Sequence, residues 1–407
     1  ETHPDSAFDH LFYIDYTRKP LEASGFTQTS LELGKIILNA GLRLDYFNPK
    51  DRWAPDYSIV YPEFVGADGY YEQAKSKFKF SPRFGLSFPI STSGALRLSY
   101  GHFFQIPSYE KMYQNPVLSH YNQFSIIGSR IGNPNLKPEN TVQYEVGYQQ
   151  EITSNLAMEL VIFHKDIKDL LGIEILTLSN AATFYRYVNK EYGNSTGATL
   201  SFNYQSPDRK FNTGVDYTYM LAKGSASSPE MLRNISILSG PGMGSYTISV
   251  RKIKYLDWDQ RHSLNVTMSY RPNKKWNISL VNQLGSGLPY SPSTLDPSIS
   301  LPGGEWDNVG RKPVRWGVDL KLVRSSVLFG YNSRFIINVF NIFNQLNENS
   351  VRSITGRAGP NAYLPEINRL RNNRILKIDE FSLDEANYNP SNYSRPRLIQ
   401  FGIMVQF

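Results

Sequence analysis

Hydrophobic and polar residues alternate with a period of two in many short segments of this chain. In the last such segment, one side of the alternation is entirely apolar and consists of Ile399, Phe401, Ile403, Val405 and Phe407. The other side carries Leu398, Gln400, Gly402, Met404 and Gln406. Alternation of this kind predicts a β-strand whose two sides meet different environments. The apolar side of such a strand either packs on a protein core or faces lipid.

The same pattern recurs and predicts about thirteen strands, at residues 24–33, 35–47, 79–90, 94–104, 139–151, 155–167, 194–205, 210–221, 260–271, 275–286, 315–324, 332–343 and 395–407. A further stretch, 184–190, is predicted to pair as an extension. Aromatic residues tend to close the apolar sides near strand ends: Tyr46, Phe88, Tyr100, Tyr204, Tyr270, Trp276, Trp316 and Phe407. Tyr and Trp rings prefer the headgroup depth of a bilayer, so these positions favour a lipid-facing apolar side.

Short connections rich in Ser, Pro, Asn and Gly alternate along the chain with long ones. Long connections are predicted at 48–77, 105–139, 168–183, 223–258, 289–311 and 345–393. This alternation is typical of outer-membrane barrels, which have short periplasmic turns and long extracellular loops. The predicted fold is therefore all-β, a transmembrane antiparallel β-barrel.

The composition agrees with this fold and argues against several others. The 407 residues include no Cys, so disulfide and thiol chemistry are excluded. No run of about eighteen apolar residues predicts a transmembrane helix. The mean hydropathy of −0.40 is polar, but a membrane barrel needs only every second strand residue to be apolar. The net charge of +7 is too small to indicate nucleic acid as a partner.

Four features carry a resemblance to a known family. The segment "GNPNLKPENTVQYEVGYQQ" (132–150) contains a turn and strand that match a family pattern at Asn133, Pro134, Leu136, Pro138 and Glu139. The segment "INVFNIFNQ" (337–345) is similar to the penultimate strand of this family. The segment "LDWDQRHSLNVTMSY" (256–270) is similar to the start of another strand in a Bacteroidetes-like branch of the family. Phe407 is similar to the aromatic signal for outer-membrane assembly. Taken together, the sequence resembles the TonB-dependent outer-membrane receptors.

This resemblance implies a barrel of about 22 strands that encloses an N-terminal plug domain. Ligand binds at the outer face of such receptors, and TonB moves the plug by using the inner-membrane proton gradient. No plug or TonB-box sequence is recognised among residues 1–407, and about thirteen strands are predicted. We therefore expect this chain to be the C-terminal part of a receptor barrel, with the plug and the N-terminal strands absent from it.

The expected function is TonB-energised uptake of a bulky, scarce solute such as a siderophore, an oligosaccharide or a peptide, in the outer membrane of a Gram-negative bacterium. The implied partners are outer-membrane lipid and lipopolysaccharide, and the TonB complex acting through a plug. Two alternatives are a passive porin-like channel and a transport-inactive barrel that anchors a surface assembly, with a surface lipoprotein as partner. A third is a soluble β-rich sugar-binding enzyme.

Motifs for catalysis are lacking, so no enzyme activity, metal or cofactor is expected. The six His residues are isolated, without the H-E-x-x-H spacing of a zinc site. No G-x-S-x-G nucleophile motif is present. Asp257 and Asp259 are interpreted as polar groups of a loop or strand rather than as calcium ligands.

The predicted long connection at 105–131 is the best candidate for a ligand surface. Its aromatic residues could stack on a sugar ring, a chelate or a peptide: Tyr109, Tyr113, His120, Tyr121 and Phe124. Trp306 is a further candidate in another loop. The alternative is that these aromatic residues pack the loop on itself as a compact lid.

Four basic residues cluster in the last long connection: Arg369, Arg371, Arg374 and Lys377. The simpler interpretation is a solvated loop, and the alternative is a contact with lipopolysaccharide phosphates, which the following variant tests. Replacing all four with Gln is expected to weaken the binding of lipopolysaccharide, because the phosphates lose their cationic partners. Isothermal titration of the purified protein with lipopolysaccharide measures this. Unchanged affinity would mean that the four charges only keep the loop solvated.

Overall fold

The computed structural model describes residues 17–53, 55, 72–114, 130–177, 183–226, 235–237, 246–248, 253–293, 307–359 and 389–406. None of the helices within these ranges has the length and apolar character needed to span a bilayer.

One antiparallel sheet dominates the described chain. Thirteen strands follow one another in it as neighbours: β1 Leu21–Leu33, β2 Ile36–Asn48, β3 Lys77–Pro89, β4 Gly94–Gln105, β5 Glu139–Thr153, β6 Leu156–Thr177, β7 Thr183–Gln205, β8 Phe211–Gly224, β9 His262–Asn273, β10 Trp276–Gly285, β11 Arg315–Leu328, β12 Tyr331–Phe340 and β13 Leu398–Gln406. All thirteen predicted strands are confirmed. Within the described residues β1 and β13 are the two outer strands of the sheet, and they do not pair with each other.

Shorter elements lie in the connections. Two-residue and three-residue strands occur at Arg52–Trp53, Glu72–Gln73, Arg130–Ile131, Ile235–Ile237, Tyr246–Ile248, Lys254–Tyr255, Pro289–Tyr290 and Gly310–Arg311. The described helices are α1, Tyr109–Tyr113, and a 3-10 turn, Pro390–Asn392.

The two edges of the sheet differ in the length of their connections. At one edge, here the turn rim, the strands are joined by residues 34–35, 90–93, 154–155, 206–210, 274–275 and 329–330. Phe329 and Gly330 have φ of 51° and 84°, as a two-residue hairpin turn requires. At the other edge, here the loop rim, long connections run over residues 49–76, 106–138, 225–261, 286–314 and 341–397. The predicted alternation is thereby confirmed.

One predicted long connection, 168–183, is wrong. β6 and β7 continue through most of it and stay paired as far as Thr177 and Thr183. The register of this pair shifts between Asn189, Glu191 and Gly193. Bulges of this kind add a residue to one strand and break the period of two, so the alternation becomes unreadable where the strand continues. The predicted extension at 184–190 is part of β7.

The register places the apolar sides of all strands on one face of the sheet. One row of directly paired residues crosses nine strands: Phe88, Leu96, Tyr148, Leu160, Leu200, Tyr217, Leu264, Leu284 and Trp316. A row on the opposite face contains Ser201, Asp216, Asn265, Gln283 and Gly317. These faces are called the apolar face and the polar face below.

No second layer covers the apolar face in the described part of the chain. Phe80, Ile162 and Phe401 on this face are 60%, 52% and 78% exposed. A protein core would bury such side chains, so of the two environments left open by the pattern, lipid fits this face.

The same apolar row reveals that the strands are staggered. It starts at Phe88, next to the turn rim of β3, and reaches Trp316, next to the loop rim of β11. The paired positions therefore shift along the strands in one direction from each strand to the next. A sheet needs such a stagger to close into a barrel with tilted strands. On β3, the outward aromatic residues Phe78 and Phe88 are ten positions apart. Ten residues at a tilt of about 40° rise about 25 Å, the height of the apolar band of an outer-membrane barrel.

A pair of neighbouring substitutions tests the assignment of the two faces. Leu98 lies on the apolar face of β4, and Ser99 lies on the polar face. Leu98→Arg is expected to lower the free energy of unfolding by about 2–4 kcal/mol, because it places a charge in the hydrocarbon region. Ser99→Arg is expected to change it little. Urea unfolding in lipid vesicles, followed by tryptophan fluorescence, measures both, and equal losses would contradict the assignment.

Candidate functional site

Beyond the loop rim, β6 and β7 form a hairpin that extends past their neighbours. The pairing of β5 with β6 stops at Lys168, and the pairing of β8 with β7 stops at Gly193. Residues 169–177 and 183–192 are here called the outer hairpin. One side of it is extended by Arg130–Ile131, which pairs in parallel with β7.

The motif that carried the family resemblance holds this outer hairpin at its base. The Asn133 side-chain amide donates to the carbonyl of Tyr187 at 2.9 Å. The Asn189 amide donates to the carbonyls of Lys137 and Asp169 at 2.8 and 2.7 Å. The Lys137 backbone N–H donates back to Asn189 Oδ1 at 2.7 Å. The motif therefore joins the connection before β5 to the hairpin, and these contacts give it a structural role.

Helix α1 is fixed above the loop rim by a small hydrophobic core. This core consists of Phe47, Met112, Tyr113, Leu136, Leu171 and Tyr187, with Ile106 packed against it. Tyr113 is only 5% exposed, and its hydroxyl donates to the carbonyl of Pro49 at 2.9 Å. Burial, together with the nearby Asp51 carboxylate, raises the pKa of Tyr113 well above its ordinary value. Tyr113 therefore packs in this core, which is the kind of packing that the lid alternative describes, and its predicted ligand contact stays a prediction.

Tyr109 lies on the same short helix but is exposed. Its hydroxyl donates to the carboxylate of Glu22 on β1, and this hydrogen bond, with a smaller contribution from burial, raises the pKa of Tyr109 to about 12. The contact joins helix α1 to the first strand of the sheet across the loop rim.

Beneath Tyr109, a cavity of about 620 Å³ opens along β1 to β4. Its lining includes Glu22, Arg43, Asp45, Arg83, Phe103 and Tyr109. Arg43 Nε donates to both carboxylate oxygens of Asp45, at 3.0 and 2.9 Å, and Nη2 donates to one of them at 2.8 Å. Arg83 stacks on the Phe103 ring, with its guanidinium carbon 4.6 Å from the ring centre. The cavity thus combines charged groups of the polar face with four aromatic rings, those of Tyr46, Phe103, Phe104 and Tyr109, at the loop rim.

Several predicted residues fall outside the described ranges. They are His120, Tyr121, Phe124 and Trp306 of the ligand prediction, the terminal Phe407, and the basic group Arg369, Arg371, Arg374 and Lys377. Among the described residues, no group of three or more His, Asp or Glu side chains is arranged to hold a metal ion.

A second cluster on the loop rim was not foreseen from the sequence. Asp259 is completely buried and accepts hydrogen bonds from the Ala222 backbone at 2.6 Å and from Arg311. Cationic groups of Lys223, Arg261 and Arg311 lie 5.3, 4.5 and 5.0 Å from the Tyr255 ring centre. The cluster joins the connections 225–261 and 286–314. Asp259 and Arg311 are 52 residues apart, so no local spacing could have indicated their pairing.

Comparison with known proteins adds family information to this geometry. The family model described as "TonB dependent receptor-like, beta-barrel" matches residues 3–344. A curated relative, the heme/hemopexin utilization protein C of Haemophilus influenzae, is 24% identical over 226 residues, which is 48% of this chain and 30% of the relative.

Two solved structures share the fold. The FrpB iron transporter of Neisseria meningitidis superposes with a TM-score of 0.51 at 15% identity, over 82% of this chain and 43% of that one. FpvA of Pseudomonas aeruginosa, in complex with heterologous pyoverdines, gives a TM-score of 0.53 at 11% identity, over 95% of this chain and 38% of that one. The chain therefore spans less than half the length of each of these relatives.

Two tyrosines on helix α1 allow a matched test of the small core. Tyr113→Ala removes a buried ring and is expected to lower the free energy of local opening by about 3–5 kcal/mol. Tyr109→Ala removes an exposed ring and is expected to change it by less than about 0.5 kcal/mol. Limited proteolysis of outer-membrane preparations, read as cleavage within residues 106–138, measures the difference. Equal cleavage of the two variants would show that Tyr113 does not hold the loop.

Proposed function

Because the chain belongs to the TonB-dependent receptor β-barrel family, whose place is the outer membrane of Gram-negative bacteria, we propose that it forms part of the wall of a receptor that takes up a bulky, scarce solute with energy from TonB. Coupling to TonB runs through a plug domain in this proposal. The barrel contributes the lipid contact, the wall of the passage and the outer ligand surface, and it makes or breaks no bond.

One observation carries this proposal. The sheet has an apolar face and a polar face, and a cavity opens where the polar face meets the loop rim. The uncovered apolar face suits acyl chains, and the polar face suits a water-filled passage. The cavity of about 620 Å³ has the size of a site for a small organic ligand. It lies at the rim with the long loops, where the outer-membrane arrangement places the entrance from outside the cell.

The chemical class of the solute is proposed from two sources, the names of the relatives and the side chains that line the cavity. The relatives are named for haem utilisation, iron transport and pyoverdine complexes. An iron chelate of the siderophore or haem type is therefore the first class to test, and oligosaccharides and peptides are the next. Tyr109 and Phe103 supply the aromatic surfaces that such solutes stack on.

Uptake in the presence and absence of TonB tests the proposal. The full-length protein is expressed in a strain without other receptors, and radiolabelled ferric siderophore, haem, oligosaccharide and oligopeptide are offered in turn. We expect accumulation of one class in cells with TonB and none in cells without it, because a plugged barrel opens only when energy is supplied.

Other outcomes identify the alternatives. Equal accumulation with and without TonB would establish a passive porin-like channel. No accumulation of any class, together with a co-purifying surface lipoprotein, would establish a transport-inactive anchor.

A further inference from the structure

We propose that three histidines on the apolar face bind the phosphate groups of lipid headgroups at the loop rim, and that this contact tightens when the imidazoles are protonated. They are His102 on β4, His164 on β6 and His262 on β9. The site requires only that the apolar face meets lipid, so it goes beyond the proposed function and is independent of any solute.

The register brings the three histidines to about the same height on the apolar face. They lie six, four and two residues nearer the loop rim than the members of the apolar row on their own strands, which are Leu96, Leu160 and Leu264. Even spacing along a strand keeps a side chain on the same face. The row climbs toward the loop rim from β4 to β9, and the decreasing offsets compensate for this climb. All three imidazoles therefore lie in one band near the loop rim.

Tyrosines complete this band, which is called the outer girdle below. Its members are His102, His164, His262, Tyr100, Tyr144, Tyr217 and Tyr219. The ring centres of Tyr100 and Tyr144 are 5.2 Å apart, and those of Tyr219 and His262 are 5.3 Å apart. Aromatic rings with a polar edge prefer the depth of the lipid headgroups. The outer girdle therefore places the imidazoles at the depth of the lipid phosphates.

The corresponding band near the turn rim contains aromatic residues but no histidine among the described residues. It includes Tyr204, Phe211, Tyr270 and Trp276. On β8, Tyr219 and Phe211 are eight residues apart, and eight residues at a tilt of about 40° rise about 20 Å. Aromatic rings alone serve both interfaces, so the histidines indicate a requirement of the interface at the long loops, which faces the cell exterior in outer-membrane barrels.

A hydroxyl group holds one nitrogen of each imidazole. The pairs are His102 Nε2 with Tyr100, His164 Nδ1 with Thr196 at 2.7 Å, and His262 Nδ1 with Tyr217 at 2.8 Å. The second nitrogen of each ring forms no hydrogen bond with the described residues. A hydroxyl can either donate or accept, so each contact persists when the ring gains a proton. The second nitrogen is then left to donate to a phosphate oxygen.

One acid lies beside the outer girdle on the described parts of β4 to β6. Asp166 is on the apolar face of β6, two residues beyond His164, and pairs with Val142 on β5. Val142 in turn pairs with His102 on β4. The next residue of β6 on this face, Lys168, is a cation. Asp166 is therefore the protein group that would compete with a lipid phosphate for His102 and His164.

The surroundings of His262 are cationic. Arg261 precedes it, and Lys223 lies on the apolar face of β8, the strand that pairs with β9. Ser286 contacts it from the end of β10, where its Oγ accepts a hydrogen bond from the His262 backbone N–H at 3.0 Å. Asp259, three residues before His262, is completely buried and hydrogen-bonded to other groups. Protonation of His262 thus adds charge to a basic surface, which an anionic headgroup neutralises.

Lipid selectivity measured at two pH values tests this site. The full-length protein is reconstituted in phosphatidylcholine vesicles, and electron spin resonance of spin-labelled phosphatidylglycerol and phosphatidylcholine gives the relative association of the two lipids with the protein. Phosphatidylglycerol is the probe because its phosphodiester keeps one negative charge in this interval, whereas histidine changes its charge there. We expect the preference for phosphatidylglycerol to rise about twofold from about pH 8 to about pH 5.5, because hydrogen bonds between ionised partners are stronger than neutral ones.

Two combined variants separate the imidazoles from other titrating groups. Replacing His102, His164 and His262 together with Gln is expected to abolish the rise, because an amide forms hydrogen bonds but gains no proton. Replacing all three with Arg is expected to give a high preference at both pH values, because the guanidinium is always charged. The Arg variant keeps the test decisive if the Gln variant does not fold.

Matched controls address the competing explanations. Tyr270→Gln alters the band near the turn rim and is expected to keep the rise. Asp166→Asn removes the competing acid and is expected to enlarge it. Added inorganic phosphate is expected to leave the preference unchanged, because the site lies at headgroup depth.

Four results would overturn the inference. They are a wild-type preference that does not change with pH, a rise that survives the triple Gln substitution, a rise that Asp166→Asn abolishes, and a preference that inorganic phosphate removes. The third would show that the imidazoles pair with Asp166 rather than with lipid, and the fourth would show a site for a free ion. No solute or TonB is used here, so failure of this site and failure of energised uptake are distinguishable.

Discussion

Hydrogen-bond register is the constraint on which the rest of this structure depends. In a strand, a slip of one residue moves every side chain to the other face. The register of nine successive strands keeps an unbroken apolar row from Phe88 to Trp316, and the same pairings keep the polar residues on the opposite face. Because each strand is also staggered against the next, the row climbs from the turn rim to the loop rim. One set of backbone pairings therefore provides a surface for lipid, a surface for water and the tilt of the strands.

The polar face uses glycine to accommodate long cationic side chains. Gly147 lets Arg97 reach Glu159, and Gly101 lets Arg83 lie on Phe103. The same loss of side-chain bulk that weakens a strand locally makes room for charge on its surface. Above this face, the described parts of the long connections are joined to one another. The motif around Asn133 and the buried Asp259 each join segments that are distant in sequence, so the loop rim has a packed core and ion pairs of its own.

Residues of one short helix illustrate where sequence reasoning stops. Tyr109 and Tyr113 are four positions apart in the same aromatic segment, and both were candidates for ligand contact. Only packing against Phe47, Leu136 and other distant residues decides that Tyr113 is buried and that Tyr109 faces the cavity. The long connection expected at 168–183 failed for a related reason, since bulges at Asn189 to Gly193 hide the alternation of a strand that continues.

The sequence by itself determined the two-sided strands, their aromatic ends and the alternation of short and long connections, because each of these is a property of neighbouring residues. The alternation with a period of two shows which side of its own strand a residue occupies. It does not state which residue of the next strand lies opposite, because that depends on the turns, the bulges and the packing of the long connections. Only the tertiary structure therefore placed Arg83 between Gly41 and Gly101 and brought Asp259 to Arg311.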